Sequence, residues 1–86
     1  EEVEENGPTE EDHLNFIEIS KKINMLKDSI HQNNNFIKLL GRNKTYQNSL
    51  KIQNILKQNH ALHIQIQQNQ FLYDLYHLKI KKWENF

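Results

Sequence analysis

The chain has no cysteine, which excludes disulfides, thiolate nucleophiles and zinc or iron–sulfur sites built on sulfur. Two glycines and one proline supply too few turn formers for a β-sandwich or barrel. No run approaches the ~20 consecutive apolar residues that cross a bilayer, and no signal peptide is recognisable. Apolar residues make up 36% of only 86 positions, so one small domain is the upper limit. A chain of that size buries little surface by itself and is marginal unless a partner covers it.

Cations are missing from residues 1–12, which carry Glu1, Glu2, Glu4, Glu5, Glu10, Glu11 and Asp12. All eleven Lys and Arg fall in 13–86, against Glu18, Asp28, Asp74 and Glu84, so a net charge of zero conceals a segregated chain. The acidic stretch is either a solvated leader or a screen for a basic surface. The first residue is Glu1 rather than Met, which points to a processed chain or a piece of a longer one. The compartment is not encoded; an intracellular one, nuclear or cytoplasmic, is the expectation.

What is present is helical periodicity. Residues 1–9 read as an acidic leader, disordered or loosely held, with a turn signal at Asn6-Gly7-Pro8. Thr9 before Glu10, Glu11 and Asp12 is an N-cap followed by carboxylates that complement the helix dipole. From there a helix is predicted over 10–40, with Phe16, Ile23, Ile30 and Ile37 at heptad position a. Ile19, Leu26, Asn33 and Leu40 take position d. Asn33-Asn34-Asn35 are poor helix formers, and a break there would give a three-segment bundle. Phe36, Ile37, Leu39 and Leu40 resume the same register, which favours a continuous helix. Gly41 is placed to end it in a left-handed conformation, opening a turn at 41–45.

A second helix is predicted over 46–85, capped by Thr45 or Asn48. Its seam is Ile52, Asn59, Ile66, Tyr73 and Ile80 at a, with Ile55, Leu62, Asn69, Tyr76 and Trp83 at d. The fold class is therefore all-α: a two-helix antiparallel hairpin, or coiled coil, packing into a larger helical bundle through oligomerisation or partner helices. Asn33, Asn59 and Asn69 interrupt the seam and would set its register.

A symmetric turn at 41–45 places position i opposite roughly 86 minus i, so Phe16 faces about Gln70 and residues 71–86 run past the first helix. That overhang holds five of the eight aromatics and is apolar on nearly every face; Leu50, Leu56 and Ile64 also lie off the seam. Leu72, Tyr73, Tyr76, Ile80, Trp83 and Phe86 are on this reading a partner interface. Lysines flank both seams, which favours a partner with acidic flanks over a parallel homodimer.

Chemistry is harder to find. His60 and His63 share a helix face but lack a third metal ligand, so no metal and no cofactor is expected. Asn43-Lys44-Thr45 matches a glycosylation sequon, although so many Asn residues make one such triplet unremarkable. There is no nucleophile beside a base, no glycine-rich phosphate loop and no paired carboxylates, and two helices leave little room for a ligand pocket, so no enzymatic activity is expected. The function these residues point to is non-enzymatic: a helical assembly or scaffold subunit that binds protein partners or itself. The first alternative is a nucleic-acid-binding helical module using Lys79-Ile80-Lys81-Lys82-Trp83, autoscreened by the leader. The second is a membrane-fusion or envelope stalk, for which membrane contact would need an adjoining apolar segment.

Overall fold

The computed structural model describes residues 7–84, with Glu84 described by its backbone alone. Residues 1–6 of the leader, and Phe86 of the expected interface, lie outside the described residues. The described residues form two helices: α1, Glu10–Gly41, and α2, Tyr46–Glu84. They pack antiparallel as a rod of 63 × 19 × 17 Å, so the chain is an all-α helical hairpin.

Helix α1 starts where its capping chemistry places it. Thr9 is extended, its Oγ1 accepts from the Asp12 N–H at 3.1 Å, and its own N–H donates to Asp12 Oδ2 at 3.0 Å. This reciprocal box satisfies two donors that the first turn would otherwise leave without partners. The three asparagines do not break the helix, which runs unbroken through Asn33-Asn34-Asn35 to Gly41. The helix end differs from expectation. No glycine has positive φ, and Arg42 caps α1 in right-handed geometry at φ −68° and ψ −26°. The Arg42 N–H reaches the Leu39 carbonyl at 3.3 Å, so a tightened last turn replaces the left-handed stop.

Of the two candidate caps for α2, Thr45 takes the role, with Oγ1 accepting from the Asn48 N–H at 3.0 Å. Asn48 does something else. Its side-chain amide donates to the Leu40 carbonyl at 3.2 Å and the Asn43 carbonyl at 2.8 Å, fastening the first turn of α2 to the end of α1. The sequon residues Asn43 and Thr45 are thus both held within this turn.

The heptad positions are the sheltered ones. Along α1 the seam residues Phe16, Ile19, Ile23, Leu26, Ile30, Ile37 and Leu40 are all buried or half-buried. On α2 the same holds for Ile52, Ile55, Leu62 and Ile66. Ile23, Ile30, Ile55 and Ile80 form the apolar core at 5–9% exposure, and no described side chain is completely enclosed. Two helices cover only one stripe of each other, and the rest of each surface stays wet.

Candidate interaction surface

The interhelical pairing is offset by three to six residues from the symmetric expectation, and this relocates the expected interface. Asn33 meets Asn59 rather than Gln53. The Asn15 side chain donates to Tyr76 Oη at 3.4 Å, and Phe16 packs against Tyr73 in a tilted arrangement with centroids 4.8 Å apart, where Gln70 had been expected. Asp12 Oδ2 accepts from Lys79 Nζ at 2.8 Å. The cause lies at the turn: residues 42–45 join the helices so that the α2 residue facing a given α1 position comes later in sequence than a symmetric turn would place it. The surplus length of α2 therefore sits partly at the turn instead of wholly at the open end.

The sixteen-residue overhang is accordingly absent. Ile80 is 7% exposed inside the hairpin, and Tyr73 and Tyr76 face α1. Trp83 is half-buried, and its indole lies against Gly7, where a Cβ would stand 3.4 Å from the ring. These four side chains find shelter in their own chain, contrary to the premise that placed them at a partner interface. Leu72 alone among the described members of that set remains open, at 43% exposure. His77 completes an aromatic stack at the open end, 5.9 Å from Tyr73 and 6.0 Å from Phe16.

The symmetric pairing rule sets none of the seam asparagines opposite another, yet two of them face each other. Asn33 Nδ2 donates to Asn59 Oδ1 at 2.9 Å, and Asn59 Nδ2 donates to Asn34 Oδ1 at 3.0 Å. Asn69 bonds its own helix instead, donating to the Gln65 carbonyl at 2.7 Å.

Among the described residues Asp12 is the one group whose acidity clearly moves. The hydrogen bond from Lys79 is the main cause and the Thr9 backbone N–H the next; both favour the charged carboxylate, and its pKa falls below 3.8.

The packing leaves apolar side chains exposed on both helices, Leu14, Ile17, Met25, Phe36 and Leu39 on α1 among them, and those on the outer face of α2 fall in heptad register. Ile64, Phe71 and Leu78 recur every seven residues, with Leu75 one turn beyond Phe71 on the same side. Their exposures are 42%, 65%, 65% and 50%, and Leu72 lies on the shoulder. At helical spacing this stripe is diametrically opposite Leu62 and Ile80, so α1 cannot reach it. The heptad positions f and c that carry it were visible in the sequence. They were merged there into an end that looked apolar all round, because the offset that removes Tyr73, Tyr76 and Ile80 from the surface was not.

No group of three His, Cys, Asp or Glu that could hold a metal occurs among the described residues, and none of their helices is long and apolar enough to cross a membrane. At the turn, an open groove of about 420 Å³ is lined in part by Leu40, Thr45, Asn48 and Ile52. The volume that two helices were not expected to provide is therefore present, as a solvent-open groove without a carboxylate or a nucleophile–base pair in its lining. The chain matches no protein family, no curated protein and no solved structure.

Proposed function

We propose that this chain is a non-enzymatic assembly module, a helical hairpin that presents the outer face of α2 to a partner helix. One observation carries the reading. After the hairpin has closed, Phe71, Leu75 and Leu78 remain 50–65% exposed on successive turns of one face, with Ile64 at 42% two turns before Phe71, while no described side chain is fully enclosed. An apolar stripe at heptad spacing is the surface one helix offers another, and a two-helix core of this size gains stability from a third element. The a/d seams, by contrast, are already occupied by each other.

The reading is tested by titrating the full chain with a helical peptide carrying Leu at positions a and d and Gln at e and g, followed by sedimentation. Binding is expected, and the double variant Phe71→Asp/Leu75→Asp is expected to remove it while leaving the hairpin's circular dichroism melt in place. If the chain neither binds the peptide nor associates with itself, the assembly reading is wrong.

A further inference from the structure

We infer that the partner of the α2 outer stripe is an acidic amphipathic helix of another protein, not a second copy of this chain. The inference rests on the assembly reading and adds the partner's charge. The apolar stretch from Ile64 to Leu78 is closed at both ends by cations: Lys57 on its axis one side, Lys82 on its axis the other, and Lys81 on its flank. All three are exposed, and no ion pair holds any of them among the described residues. Lys79, nearby, is engaged with Asp12 across the hairpin. Among the described residues only Asp74 opposes them on this face, and it accepts from Gln70 of its own helix at 3.1 Å.

Pairing the stripe with itself brings like charges together in either orientation. Packed antiparallel with Ile64 against Leu75, Lys57 of one copy meets Lys82 of the other; packed parallel, each lysine meets its own counterpart. Like charges across a helical seam cost affinity, and opposite ones favour encounter and fix orientation. A partner with Leu-type residues at a and d and carboxylates at the flanking positions answers both the grease and the lysines.

Three peptides of one length test this on the full chain, identical at a and d but carrying Glu, Gln or Lys at e and g. The Glu peptide is expected to bind at least about tenfold more tightly than the Lys peptide, as charge complementarity across an interface requires. The gap should shrink when ~1 M salt reduces the screening length to about 3 Å. The triple variant Lys57→Gln/Lys81→Gln/Lys82→Gln should close it without altering binding of the Gln peptide. Equal binding of all three peptides overturns the acidic partner while leaving assembly intact, and binding of none overturns both. Self-association abolished by Phe71→Asp would establish a second copy as the occupant instead. Displacement of the Glu peptide by anionic vesicles of phosphatidylserine and phosphatidylcholine would establish a lipid surface.

Discussion

Asn33 and Asn59 share a hydrogen bond of 2.9 Å across the middle of the hairpin, and Asn59 is only 6% exposed. A buried amide that meets its complement at one register and an isoleucine or leucine at the others discriminates between those registers more than it stabilises any of them.

Replacing one partner should therefore hurt more than replacing both. Asn59→Ala strands the amides of Asn33 and Asn34 and is expected to cost about 1–3 kcal/mol in thermal or denaturant unfolding. The double variant Asn33→Leu/Asn59→Leu should be at least as stable as the parent but populate more than one species in sedimentation. A double variant as unstable as the single one would remove the register role.

The contrast between adjacent outward and inward residues tests the offset pairing. Ile80→Ala removes a core side chain and is expected to cost roughly 2–4 kcal/mol. Leu78→Ala, on the outer stripe, should change the isolated hairpin by no more than about 0.5 kcal/mol. Comparable losses at the two positions would mean that α2 is not oriented as described.

Gly41 is helical, has no positive φ, and a Cβ there would meet nothing within 4 Å. Gly41→Ala is consequently expected to stabilise the hairpin by about 0.5–1 kcal/mol, read from the unfolding midpoint. Destabilisation would restore the left-handed stop that the sequence pattern suggests.

Asp12 links acidity to folding. Because its pKa is lowered in the folded chain, first by Lys79 and then by the Thr9 backbone, the stabilisation is in full force above 3.8 and fades as the pH drops through the lower folded value. Asp12→Asn should remove that contribution at neutral pH and flatten the acid limb of stability against pH. Lys79→Met should flatten it partly, since the Thr9 contacts persist. An unchanged acid limb in both variants would show that Asp12 does not govern it.

The helices, their N-caps and both seams were legible because each rests on a local rule: a hydroxyl before carboxylates at Thr9, a period of three and four from Phe16 to Leu40. Which residues face each other was not, because facing depends on how Arg42 to Thr45 transfer the chain, a geometry no periodicity encodes. One misplaced turn was enough to send Tyr73, Tyr76, Ile80 and Trp83 outward and to separate Asn33 from Asn59. The outer stripe escaped notice for the same reason: Phe71 and Leu78 are unusual only once Ile80 is known to be covered.

Gly7 lying against Trp83 has a topological consequence. Residues 7 and 83 lie together at a single pole, and the loop at 42–45 is at the opposite end of a rod 63 Å long. Donor and acceptor dyes attached at positions 7 and 83 would therefore transfer energy efficiently, whereas a dye at Lys44 would report from the far tip.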